Sequence, residues 1–189
     1  MTTGRILNIP NILTLARIAL IPVFLLVAYW PPIIGAAEQD SNMTRHMILT
    51  AIFVVAAITD WFDGYLARSL NQTSAFGRFL DPVADKFMIG TAMVSLSILG
   101  RLPWWMTIVI LSREIGITLF RLAVIKRGVI PANRGGKIKA MMQGFGVGFY
   151  VLPLDESLYW FRDGFMYIAI ALTIFTGAYY VKSALTHKS

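Results

Sequence analysis

The chain has 189 residues, 57% of them hydrophobic and only 14% charged, and its mean hydropathy of +0.65 is far too high for an ordinary water-soluble domain. Membrane proteins are the class that remains; the absence of cysteine excludes disulfides and thiolate metal sites, and two histidines by themselves cannot build a zinc site. The formal charge of +7 suits basic loops at a cytoplasmic face and anionic lipid head groups, so no nucleic-acid partner is expected.

About twenty predominantly apolar residues cross the hydrocarbon core as a helix, and six windows meet that description: 12–30, 46–67, 81–99, 103–124, 140–154 and 165–185. The first is too long for a cleaved leader, and Arg17 interrupts its early part. The second ends in aspartates, and the fifth is short and glycine-rich. No repeat or linker divides the chain, which reads as a single membrane-embedded domain over 1–189.

The connections sort by charge. Arg5, Arg68, Arg78, the run "KRGVIPANRGGKIK", Lys182 and Lys188 fall on one side. The opposite connections hold only Arg45, Arg101 and Arg162 as basic residues, against five acidic ones. This asymmetry predicts that the first side faces the cytoplasm, with both termini there. Trp104, Trp105, Tyr159, Trp160 and Phe161 fall at the other boundary, where amphipathic rings settle.

Among only ten acidic residues, four aspartates, Asp60, Asp63, Asp81 and Asp85, crowd into 26 positions. Asp60 and Asp63 are three apart and Asp81 and Asp85 four apart, so on helices each pair shares a face. Two antiparallel helices joined by the intervening turn would set the pairs opposite each other near the cytoplasmic boundary. Asp81 and Pro82 read either as an N-cap with proline at the first helical position, or as part of a helix that starts nearer Phe76. Four carboxylates at this depth repel one another, and Arg68, Arg78 and Lys86 are the only local cations. Oxygen ligands without sulfur or imidazole select magnesium, manganese or calcium, and four carboxylates suit two divalent ions gripping a phosphate or pyrophosphate. Gly64 and Gly77 allow close backbone approach to a bulky ligand, and Arg68 is within reach of a phosphate.

Around these residues the chain resembles the CDP-alcohol phosphotransferase family, whose signature is DxxDGxxAR, eight residues, then GxxxDxxxD. Here it is complete, as "DWFDGYLAR", "SLNQTSAF" and "GRFLDPVAD". The resemblance implies that Asp60, Asp63, Asp81 and Asp85 bind a pair of Mg2+ or Mn2+ ions and that Asp85 is also the general base. It implies that Gly64, Ala67, Arg68, Ser74 and Gly77 line the CDP-lipid site, with Asn11 and Thr14 of "PNILT" assisting. It further implies the family fold of six transmembrane helices, a homodimer, CDP-diacylglycerol as donor, and a cell-membrane site open to the cytoplasm.

Across residues 8–139 the segments "NIPNILTLARI", "TDWFDGYLAR", "FLDPVADK", "REIGITLFR" and "GGKIK" are similar to one branch of that family, although Ala140 stands where threonine is expected. The acceptor this implies is sn-glycerol 3-phosphate. A phosphorylated acceptor requires a second cationic site, for which Arg113, Arg121, Lys137 and Lys139 are the candidates. The competing reading of Arg113 is an ion pair with Glu114. Rival functions are the same chemistry with inositol phosphate, serine or phosphatidylglycerol as acceptor, a divalent-cation transporter, or a non-catalytic head-group binder.

Overall fold

The computed structural model describes residues 9–30, 38–69, 75–124 and 134–186, with backbone alone for 9–10, 38–41, 63–69, 75–82, 121–124, 134 and 184–186. Within them are six α-helices: α1 (Ile9–Tyr29), α2 (Glu38–Ser69), α3 (Ala75–Ile98), α4 (Trp104–Val124), α5 (Arg134–Val151) and α6 (Tyr159–Thr186). No strand occurs among the described residues.

Each expected apolar window contributes to one helix, and five of the six helices are longer than their windows, α4 matching its own to within one residue. α2 begins at Glu38 and α5 at Arg134, well before the windows that announced them. The reason is physical: hydropathy marks only the part of a helix that must avoid water, whereas backbone hydrogen bonding continues into polar turns beyond it. α2 has 32 residues, about 48 Å at 1.5 Å per residue, against a hydrocarbon core of roughly 30 Å. Its ends therefore project into polar surroundings.

Among the described residues three helical stretches are long and apolar enough to cross a membrane by themselves: Asn11–Tyr29, Asn42–Phe62 and Glu156–Ser183.

Cα packing divides the chain into Met1–Leu96 with Val151–Pro153, and Ser97–Tyr150 with Leu154–Ser189. In the first unit α1 packs on α2. Buried Phe24 and Ala28 belong to α1, and Leu49, Phe53 and Ala56 to α2, each set at helical three- and four-residue spacing. Arg17 Nη1 meets Asp60 Oδ1 at 2.5 Å and Arg45 Nη2 donates to the Trp30 carbonyl at 2.9 Å, so the two helices are antiparallel and fastened at both ends. α3 buries Ala84, Met88, Ala92 and Ser95 along one stripe.

In the second unit Lys139 contacts Glu114 and Tyr150 contacts Met106, which makes α4 and α5 antiparallel. Arg113 reaches Thr173 and Thr176, while Phe120 meets Tyr180, so α4 and α6 run parallel. α3 stops where Gly100 takes φ +72°, a left-handed conformation that a side chain would strain. A buried hydrogen bond of 2.7 Å between the Ser97 and Thr107 hydroxyls ties that turn to α4. Before α6, Asp155 caps a short 3-10 turn, Glu156–Leu158, by accepting from the Ser157 N–H. That bond holds the Asp155 carboxyl below its ordinary pKa. Beside the turn, the Arg162 guanidinium lies 3.9 Å from the Tyr159 ring centre and 4.3 Å from that of Tyr150. Asp163 accepts from both Arg162 and Tyr150.

Candidate active site

The aspartates lie on unbroken helix. Asp60 and Asp63 sit in the last third of α2, and Asp81 and Asp85 in the first half of α3. The three- and four-residue spacings thus place each pair on one helical face. α3 begins at Ala75, which decides between the two sequence readings: Asp81 is inside the helix and is not its N-cap. Asp85 is half-buried beside the Ala84 and Met88 stripe, while Lys86 and Phe87 face outward.

Asp60 lies within Asn42–Phe62, the apolar stretch of α2 found among the residues whose side chains are described. The side chains of Asp63, Asp81, Ala67 and Arg68 lie outside the described residues, as does Ser74 altogether. Gly64 and Gly77 are helical.

Asp60 pairs with Arg17, its side chain 49% exposed while that of Arg17 is 2% exposed. Arg17 is the largest fully buried side chain among the described residues. It shares one face of α1 with Asn11, 2% exposed, and Thr14, 0% exposed. This polar stripe gives way to Phe24 and Ala28 further along the same helix. Both expected α1 residues, Asn11 and Thr14, are therefore turned inward, and Arg17 joins them. Sequence reasoning treated Arg17 only as an interruption, although a cation one turn after Thr14 in an apolar run was a usable signal.

An all-carboxylate donor set fits a hard divalent cation. Asp60 fits it in geometry as well, because one oxygen is held by Arg17 while half the side chain stays open. Among the described residues no three acidic, histidine or cysteine side chains group closely enough to hold an ion, two of the four aspartates lying outside them.

The second cationic group lies in the other unit. Arg113 donates from Nε to the Thr173 carbonyl at 3.0 Å, from Nη2 to Thr176 Oγ1 at 2.9 Å, and from Nη1 to Glu114 Oε1 at 2.9 Å. Lys139 pairs with the same Glu114 oxygen. Arginine at mid-helix costs about 2.5–3.5 kcal/mol on insertion scales, which explains why a carboxylate stands next to it. Two cations share one carboxylate, however, so the cluster keeps one net positive charge.

Gly177 makes room for this arrangement: a Cβ there would lie 3.1 Å from Arg113 Nε. Gly135 brings α5 against Thr176 in the same way, at 3.4 Å. Gln143 of α5 and Thr173 of α6 are buried polar residues, and the Thr173 hydroxyl has no hydrogen-bond partner among the described residues. Lys137 is exposed while Lys139 is buried, as a two-residue step around a helix requires. The Arg121 side chain lies outside the described residues. The sequence does not single out Thr173, Thr176 and Gly177, because nothing in α6 alone marks them apart from an apolar span.

A profile of the CDP-alcohol phosphatidyltransferase family matches residues 7–175. The chain belongs to that family. With three helices able to cross a membrane, this CDP-alcohol phosphatidyltransferase is an integral membrane protein. It is 48% identical over 182 residues to a probable phosphatidylglycerophosphate synthase of Mycobacterium tuberculosis (strain H37Rv), covering 96% of this chain and 84% of that protein. It is 40% identical over 176 residues to the CDP-diacylglycerol–glycerol-3-phosphate 3-phosphatidyltransferase of Bacillus subtilis (strain 168), covering 90% and 91%. The protein of that same name from Blochmanniella floridana is 39% identical over 184 residues, covering 94% and 91%.

Proposed function

We propose that this family member transfers the phosphatidyl group of CDP-diacylglycerol to sn-glycerol 3-phosphate, giving phosphatidylglycerophosphate and CMP. The observation that carries the reading is the near full-length similarity, at 39–48% identity, to proteins named for that reaction. The complete aspartate signature on two continuous helices supports it.

In the reaction the acceptor hydroxyl oxygen bonds to the phosphorus that bears the lipid, the bond from that phosphorus to the CMP oxygen breaks, and CMP leaves. Asp85 takes the hydroxyl proton; its half-buried position on α3 leaves the carboxylate reachable. Asp60, Asp63, Asp81 and Asp85 would hold two Mg2+ or Mn2+ ions. When bound, such ions neutralise the pyrophosphate and the developing charge on CMP.

Asn11, Thr14, Gly64, Ala67, Arg68, Ser74 and Gly77 receive the CDP-lipid. Arg113 and Lys139, with the residual positive charge of their cluster, bind the acceptor phosphate together with Arg121 and Lys137. The proposed setting is the cell membrane, with six spans, both termini and the site on the cytoplasmic side, membrane lipid around the helices, and a homodimer.

The test is purified protein with CDP-diacylglycerol and Mg2+ or Mn2+, offered each acceptor separately. CMP release with glycerol phosphate alone is expected. Release only with inositol phosphate would overturn the acceptor, and metal flux into sealed vesicles without nucleotide would replace the enzyme with a transporter.

A further inference from the structure

The crowding of four aspartates calls for more positive charge than Arg68, Arg78 and Lys86 offer near them in sequence. The structure supplies one more cation from a different helix. Arg17 of α1 is buried, and its Nη1 lies 2.5 Å from Asp60 Oδ1 at the membrane-facing end of the aspartate segment. The pair is lopsided, with the guanidinium enclosed and the carboxylate half open.

A buried guanidinium is not there to be solvated, and its enclosure fixes it in place. The open carboxylate, by contrast, can still take a second cation on its exposed side. We propose that Arg17 is the resting counter-charge of the aspartate site: it holds Asp60 oriented and neutralised while no divalent ion is bound, and the ion takes over most of that neutralisation when it arrives. Arg17 is thus a positioning residue acting through Asp60, and the inference rests on the reading of the aspartates as metal ligands given above.

The proposal makes Arg17 and the metal partly interchangeable in stabilising the fold, which a purely structural arginine is not. The experiment compares apparent Tm in detergent, with chelator and with saturating Mn2+, for the wild-type protein, Arg17→Gln, Asp60→Asn and the double variant. Arg17→Gln is expected to lower the metal-free Tm by about 5 °C, a shift of ordinary size for one lost interaction in a chain of this length. Mn2+ should then raise the Tm of Arg17→Gln by clearly more than it raises the wild type. The double variant should be more stable without metal than Arg17→Gln, because the carboxylate left without its cation has gone too.

An equal or smaller Mn2+ shift in Arg17→Gln than in the wild type would overturn the proposal. So would a double variant no more stable than Arg17→Gln, and this comparison decides the matter even where the single variant yields no folded protein. A wild type that Mn2+ does not stabilise at all would instead overturn the metal reading, while the double-variant comparison would still judge the charge pairing.

Discussion

Asp85 is the residue on which the proposed chemistry turns. Asp85→Asn keeps size and shape but cannot accept the hydroxyl proton, so turnover should fall at least ~100-fold. CDP-lipid binding, measured by equilibrium titration, should stay near the wild-type value; loss of folding would mark the residue as structural. Gly177→Ala tests the other cluster. Alanine in a helix gains up to ~1 kcal/mol over glycine, but its Cβ would press on Arg113 Nε at 3.1 Å, a side chain held by three hydrogen bonds. Gain and strain nearly cancel in stability, whereas the displaced guanidinium should raise the acceptor KM about 3- to 10-fold with the CDP-lipid KM unchanged, a split that steady-state kinetics reads directly. The aspartates were legible in the sequence because their spacing matches the helical repeat. The sharing of Glu114 between Arg113 and Lys139 was not, because it joins residues 25 apart on two helices. Adjacency suggested the Arg113 pair but carried no information on the lysine.

At the level of elements, α1 and α2 form a hairpin whose fastenings, Arg17 with Asp60 and Arg45 with Trp30, differ in worth. Arg45 bonds a carbonyl at an exposed position, so Arg45→Ala should cost less than ~1 kcal/mol. Phe24 is 1% exposed in the hairpin interface. Phe24→Ala leaves a cavity, but lipid and not water receives the unfolded helix face, so the loss should be roughly half the ~3–5 kcal/mol seen in water-soluble cores. Denaturation of the two variants in mixed micelles gives the ranking; equal losses would mean that the interface is not held by packing. All six helices were legible from hydropathy, and their polar ends were not. Windows of apolar residues missed the first turns of α2 and α5, where helical hydrogen bonding proceeds without any apolar requirement. The inward turn of Asn11, Thr14 and Arg17 lay between these cases. Its three-residue step was visible, but the helix it faces was not.

For the whole molecule, charge asymmetry predicts a topology that reporter fusions can check. A reporter that works only in the cytoplasm should be active at both ends of the chain, and activity at one end alone would require an odd number of spans. The same scale brings out what the polar stripe on α1 means for change over time. Asn11, Thr14 and Arg17 are enclosed, whereas Leu26 and Trp61 are 61% and 66% exposed. The usual rule of tolerance is thereby inverted. In a saturation library the outward positions should accept almost any oily side chain, so Leu26→Val is expected to be silent. Thr14→Val, nearly identical in volume, should cost most of the activity. Mutational freedom in this hairpin is thus set by which way a position faces, with the polar letters the least replaceable.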